Sequence, residues 1–204
     1  MIIAHDDATL AFYAHEAHRY AKASRLDKSV WADRFAGLLP HGAAVLELGC
    51  GAGADTLLLR AHGLLVTATD GCPNMVQQAE QVTGQPVTVL RFDAITAKAT
   101  YAGVWANACL LHVPDTALTS VLALIYAALV HGGVLYASFK AGSLPGRDTL
   151  GRYYNYPSPE RLRDTVMAAG NWHQIDIESH AGGGYDGVAV RWLHLIAIRD
   201  HKRG

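Results

Sequence analysis

Val45-Leu46-Glu47-Leu48-Gly49-Cys50-Gly51-Ala52-Gly53 decides the fold of this 204-residue chain. A short apolar run ends in glycines at alternate positions, and a helical pattern follows at once. Strand, glycine turn and helix in that order open a βαβ unit. Working outward, residues 65–70, 87–92, 103–107 and 134–140 join residues 44–48 as predicted strands, and residues 52–61, 73–82 and 115–130 have helical length. Pro73 suits a first helical position, while Gly63 and Gly132 suit C-terminal stops. Such alternation predicts an α/β fold, a parallel sheet with helices on both faces.

The flanks differ from this middle. Residues 10–23 and 30–39 read as two helices, the second bounded by Ser29 and Pro40, and they are placed to cover a site. A Gly-rich, charged loop at 141–156 precedes a helix begun by Ser158-Pro159-Glu160 and finished near Gly170. Two last strands, 173–180 and 188–199, flank a turn-rich connection; a link that short pairs strands antiparallel, because a parallel return needs a crossover of about a dozen residues. The expected organisation is one domain over 1–204, with a helical cap at 1–40 and the sheet and its helices at 41–204.

Composition narrows the partners. Half of the residues are hydrophobic (50%), and 17 Lys+Arg against 18 Asp+Glu leave a net charge of -1. That is enough apolar material for a core, and it excludes a disordered chain or a mini-protein framework. It leaves no electrostatic footprint for a nucleic-acid backbone or an anionic membrane, so a small-molecule partner is expected. Cys50, Cys72 and Cys109 are odd in number and lack C-x-x-C spacing, which argues against disulfides and zinc ribbons. Acids occupy Asp6 and Asp7 where a signal peptide would be basic, and the longest apolar run, 121–130, falls short of the roughly 18 residues of a membrane span. A soluble, cytoplasmic protein is expected.

The glycine turn acquires a chemical meaning from Asp70, which ends the next strand 21 residues after Gly49. Glycines let a ligand approach the backbone, and an acid about 20 residues on can accept both hydroxyl protons of a ribose. Gly49-x-Gly51-x-x-Ala54 also satisfies the dinucleotide fingerprint, so an NAD(P)-dependent oxidoreductase is an alternative. Tyr136 and Lys140 even have the Tyr-x-x-x-Lys spacing of some dehydrogenases. That pair meets only on a helix, whereas residues 134–140 read as a strand, along which four residues span about 13 Å.

Three motifs together, Glu47-Leu48-Gly49-Cys50-Gly51-Ala52-Gly53, Asp70-Gly71-Cys72-Pro73-Asn74-Met75 and Phe92-Asp93-Ala94, resemble those of class I S-adenosylmethionine-dependent methyltransferases. Residues 104–114, 132–140 and 151–154 are similar to a bacterial tellurite-resistance-like subgroup of them. The resemblance implies a seven-stranded Rossmann-like sheet, its last strand inserted antiparallel, and S-adenosyl-L-methionine as cofactor at the carboxyl ends of the strands. It implies that Gly49, Cys50, Gly51 and Ala52 pack against the methionyl part, with Glu47 organising the loop through its amides. Asp70, beside Gly71, would take the ribose. Met75 and Phe92 would cover the adenine, Asp93 would accept from its amine with Ala94 alongside, and carbonyls near Asn107 and Ala108 would receive the methionine ammonium. Cys72 stands where the family more often has serine, so that helix has the poorer cap.

Methyl transfer from a sulfonium is an in-line displacement, so the protein chiefly aligns donor and acceptor, and a base is needed only for a poor nucleophile. A chalcogen oxyanion, a thiol or another small metabolite is the expected acceptor. His112, after the fourth strand, either orients or deprotonates it or else bonds a loop carbonyl. Arg152 either clamps an anionic acceptor or pairs with Asp148. Tyr13, Glu16 and Tyr20 form one helix face; ordinary docking accounts for the stripe, and related methyltransferases put such tyrosines over the cofactor, which makes Tyr13 and Tyr20 candidate pocket residues. His15, His18, His173, His180 and His194 show no ligand spacing and read as surface or loop residues, and no metal site is expected. A domain that binds the cofactor only as a sensor or scaffold is the non-enzymatic alternative.

Overall fold

The side chains of β1 (Ala44–Leu48) alternate between two faces, and that alternation sorts the helices into two layers. The computed structural model describes residues 3–22 and 30–201. Around β1 lie α1 (Asp7–Lys22), α2 (Val30–Gly37), α3 (Ala54–Ala61), β2 (Leu65–Asp70), α4 (Pro73–Thr83), β3 (Thr88–Val89) and β4 (Tyr101–Ala106). The chain continues through α5 (Asp115–Ala128), β5 (Leu129–Lys140), β6 (Gly146–Arg147), β7 (Tyr153–Tyr154), α6 (Pro159–Ala169), β8 (Trp172–Gly183) and β9 (Ala189–Arg199). The main sheet has seven strands in the order β3-β2-β1-β4-β5-β9-β8. Pairing is parallel from β3 to β5, and β9 enters antiparallel between β5 and β8. This is the Rossmann-like sheet with one inverted strand that the motifs imply.

Leu46 and Leu48 face one layer, where Leu118, Leu122 and Ile125 of α5 and Leu162 and Val166 of α6 close over Leu135, Phe139 and Leu195. Val45 faces the other, packing with Trp31 and Phe35 of α2 and Leu59 of α3 against Trp105 and Tyr136. Fully burying each such side chain contributes roughly 1.5–3 kcal/mol, which is why the sheet is fixed to within one residue of register.

Several expectations from sequence are corrected. α1 begins at Asp7, because Asp6 caps it: Asp6 Oδ1 accepts from the Thr9 amide at 2.9 Å and from the Thr9 hydroxyl at 2.8 Å. α3 starts at Ala54, since Gly53 is left-handed at φ 87°. The strand expected over 87–92 shrinks to Thr88–Val89, with a 3-10 turn at Phe92–Ala94. The helix expected to reach 130 stops at Ala128: Leu129 is already extended, and Ala99 and Thr100 take the carbonyls of Ala127 and Ala128. Gly132 therefore lies inside β5 and ends no helix. The loop at 141–156 holds a small β6–β7 hairpin. α6 keeps its cap, Ser158 Oγ accepting from the Arg161 amide at 3.2 Å. The predicted ends at Ala23 and Ser29 lie outside the described residues.

His194 is not a surface residue. It stands on β9, stacks on Trp31 at 4.2 Å and bonds the Tyr136 hydroxyl at 2.9 Å, and burial holds its imidazole down at about 4. Tyr136 and Lys140 lie on β5 as expected, with the Tyr136 hydroxyl committed to His194. Among the described residues no helix is long and apolar enough to cross a membrane, and no group of three or more His, Cys, Asp or Glu could hold a metal ion.

Candidate active site

Because β1 and β2 run parallel with Leu48 opposite Thr69, the loop after β1 and the acid ending β2 arrive together at the carboxyl edge of the sheet. A cavity of about 790 Å³ opens there. The glycine loop forms its floor, α1 its roof, and the chain after β4 one wall.

Asp70 braces the loop. Its Oδ2 accepts from the Gly51 amide at 3.0 Å and its Oδ1 from the Cys72 amide at 2.8 Å. Burial pushes this carboxyl up to about 6, and the two amides pull against that rise. Cys72 makes no side-chain cap to α4, and the amide that Asp70 Oδ1 holds is Cys72's own, which fixes the entry to the helix without capping its first turn.

Glu47 does not organise the loop through its amides. Its position on β1 aims it at α3, where Oε2 accepts from the Thr56 hydroxyl at 2.5 Å and Oε1 has no partner. Burial above all, and then the charge of Asp55, push its carboxyl up to about 8. Loop amides bond elsewhere: Cys50 to the Thr69 carbonyl and Gly53 to the Cys50 carbonyl, both at 2.9 Å.

Glycine is required at position 49 by close approach, since a Cβ there would stand 2.4 Å from that of Cys109. At Gly51 a Cβ would project beside Tyr20 and Met75, 3.7 and 3.8 Å away, into the cavity itself. Ala52 and Gly71 line the same floor, and Met75 and Phe92 give it apolar walls. Burial raises the thiols of Cys50 and Cys109, which are thus small packing groups and not thiolates.

Asn107 and Ala108 form the wall after β4. Asn107 Nδ2 donates to Asp55 Oδ2 at 2.9 Å, and its Oδ1 accepts from the Ser138 hydroxyl at 2.7 Å. Ser138 Oγ in turn accepts from the Ala108 amide at 2.8 Å, which holds Ala108 at φ 52°. Asp55 and Ser138 carry no motif in the sequence. The only sign was an acid in the first turn of α3, a position that also suits a helix dipole.

His112 joins wall to roof. Its Nδ1 lies 2.6 Å from the Tyr153 carbonyl, which can only accept, so Nδ1 carries the proton. Bare Nε2 then accepts from the Tyr13 hydroxyl at 2.9 Å, and the Tyr13 oxygen accepts from Arg152 Nη1 at 3.2 Å. Burial, helped by Arg152 and Lys140 and opposed by the Tyr153 carbonyl, lowers the imidazole to about 4. His112 is neutral at neutral pH.

Arg152 stays behind this pair and off the cavity lining. Its Nε and Nη2 donate to Asp148 Oδ2 at 2.9 and 2.6 Å, and its guanidinium lies over Phe12, Tyr154 and Tyr185. The roof is fastened at its start as well: Arg147 donates to both Asp6 oxygens, and the Tyr153 amide to the Thr9 hydroxyl at 2.9 Å. Neither the Asp6–Thr9 cap nor its tie to the β6–β7 hairpin was read from the sequence, which placed the helix start at Leu10. Of the other candidate residues, Tyr13, Tyr20 and His112 line the cavity, whereas Glu47 lies beneath its floor and Asp93 and Ala94 fall beyond Phe92, outside the lining.

Residues 45–133 match the family model described as a methyltransferase domain. No curated protein sequence matches the chain. Among solved structures it is similar to the 1,6-didemethyltoxoflavin-N1-methyltransferase of Burkholderia thailandensis, crystallised with 1,6-didemethyltoxoflavin and S-adenosylhomocysteine, at 21% identity and a TM-score of 0.75 over 95% of this chain and 88% of that one. A SAM-dependent methyltransferase from Methanosarcina mazei superposes with a TM-score of 0.72 at 17% identity, covering 87% and 100%. DhpI in complex with S-adenosylhomocysteine gives 0.69 at 22% identity, covering 97% of each chain. At these identities the neighbours speak for the fold, and the domain match covers the stretch from β1 into β5.

Proposed function

We propose that the chain is an S-adenosylmethionine-dependent methyltransferase that transfers the methyl group to a small molecule held beneath α1. The observation that carries the reading is the glycine loop braced by Asp70 at the head of the cavity. The residues suit S-adenosyl-L-methionine. Space that a Cβ at Gly51 would fill is open, Met75 and Phe92 offer apolar surface, and Asp70 keeps lone pairs beyond the two its amides use. When bound, the cofactor supplies a methyl group already activated on sulfur.

The chain's own part is to position and exclude water. Asp70 would accept from the ribose hydroxyls, and Gly49 to Ala52 would lie along the methionyl part. Phe92 would cover the adenine, with Asp93 and Ala94 at its far rim. Tyr13 and the neutral His112 face the region an acceptor would occupy, and Arg152 holds the Tyr13 oxygen in place. With Nδ1 on the Tyr153 carbonyl and Nε2 engaged by Tyr13, His112 positions the Tyr13 hydroxyl beside an acceptor and does not itself deprotonate it. This favours an acceptor that arrives as a competent nucleophile, such as a thiolate or a ring nitrogen. The tellurite-resistance-like resemblance adds chalcogen oxyanions, and the near-zero net charge speaks against nucleic acid.

Calorimetry is expected to show S-adenosylhomocysteine binding at micromolar strength, weakened at least tenfold by Asp70→Ala, and labelled methyl should pass to a member of a panel of thiols, heteroaromatic nitrogens and chalcogen oxyanions. Tight NADH binding with no response to either sulfur nucleoside would overturn the assignment. Cofactor binding without turnover on any acceptor would favour a sensor.

A further inference from the structure

Asp55 lies in the first turn of α3 and lines the cavity at the Asn107 end. Trp105 Nε1 and Asn107 Nδ2 both donate to its Oδ2, each at 2.9 Å. Both donors are themselves fixed. Trp105 is buried and stacked on Tyr136 at 4.0 Å, and Asn107 accepts from Ser138. A carboxylate gripped by one oxygen has a set direction, and Oδ1 carries no hydrogen bond among the described residues.

The neighbouring carboxyls offer Asp55 no counter-charge: Asp70 braces the same loop, and Glu47, raised in part by Asp55, keeps its proton at neutral pH. No Lys, Arg or His of the described residues forms an ion pair with Asp55, and Arg60, on the same helix, gives its Nη2 to the Val66 carbonyl. A half-buried carboxylate with one oxygen bare and no cation paired to it among the described residues is matched by a cationic group brought by a ligand.

We propose that Asp55 Oδ1 receives the α-ammonium of S-adenosylmethionine, so that a charge pair, and not backbone carbonyls alone, holds the amino-acid end of the cofactor. This rests on reading the cavity as the cofactor site. It makes Asp55 a specificity residue: ligands with the amino acid are selected over nucleosides that lack it.

Asp55→Asn tests this with little change of shape, because an amide oxygen can still accept from Trp105 and Asn107. Its NH2 then replaces Oδ1 and meets the ammonium donor to donor. Calorimetric titration of the full chain with S-adenosylhomocysteine and with 5′-methylthioadenosine, which has the nucleoside and thioether but no amino acid, separates the contributions. The expected result is a loss of about 10- to 100-fold for S-adenosylhomocysteine, the range of a hydrogen bond to a charged group, with 5′-methylthioadenosine changed less than about twofold. Equal loss for both ligands, or none for either, overturns the proposal. Should the unaltered protein bind neither ligand, the cofactor-site reading falls and this inference with it. A parallel thermal melt of Asp55→Asn, expected to match the parent, guards against a folding defect.

Discussion

Replacing Glu47 by glutamine should remove a pH dependence from the stability of the unliganded protein. Glu47 is 1% exposed, and burial raises its carboxyl from an ordinary 4.5 to about 8. Between those values the folded chain holds a proton that the unfolded chain has released. Stability therefore falls as pH rises, by about 1.4 kcal/mol per pH unit, or roughly 3.5 kcal/mol between pH 5 and pH 8. Asp70, raised to about 6, adds a contribution of the same sign, whereas His112 and His194, lowered to about 4, add the opposite one below pH 6.5. These cancel when the variant is compared with its parent. Glutamine keeps an oxygen for the Thr56 hydroxyl and does not titrate. Urea unfolding of both proteins at each pH unit from 5 to 8 should show the variant gaining on the parent by roughly 3.5 kcal/mol over the series. Curves separated by a constant offset would mean that Glu47 is ionised in the folded protein, and the argument from burial would fail.

Gly49→Ala places a Cβ 2.4 Å from that of Cys109 at a residue with φ 62°, so strain and overpacking together should cost about 2–5 kcal/mol. Its melting temperature should drop and recover in part when Cys109→Gly removes the opposing carbon; an unshifted single variant would refute the packing argument. For His112, an NMR titration of the imidazole should give a midpoint near 4, with no inflection in methyl transfer between pH 6 and 8 traceable to this ring. A midpoint near 6.5 would show that the ring is solvated and free of Tyr13.

Much of the sheet was legible because local pattern and topology agree there. The β1 and β2 boundaries match the sequence reading residue for residue, since short β-rich runs between glycines leave no other period to fit. β3 was overestimated: it is an edge strand whose two ladder residues are exposed, so residues 87–92 look like a strand without the partner that would extend it. The end of α5 was missed for the opposite reason. Residues 121–130 are apolar throughout, and only the pairing of Leu129 with Tyr101 decides where helix gives way to strand. In the site, the glycine loop and Asp70 follow a fixed spacing and were visible. The direction of Glu47 was not, because it depends on which sheet face α3 covers. Nor were the partners of Tyr13, which lie 99 and 139 residues away at His112 and Arg152. One sequence shows such residues but not their meeting.

The inversion of β9 also orders events during synthesis. β8 reaches the sheet only through β9, and the edge of β5 that β9 covers consists of Val134 to Lys140, buried in the finished protein. At a typical ribosomal speed of about 5–20 residues per second, that edge waits several seconds after β5 emerges before residues 189–199 exist to pair with it. In that interval an apolar strand stands open to any other extended chain. The nascent polypeptide is most exposed to aggregation then, although the half that carries the glycine loop and Asp70 is already made.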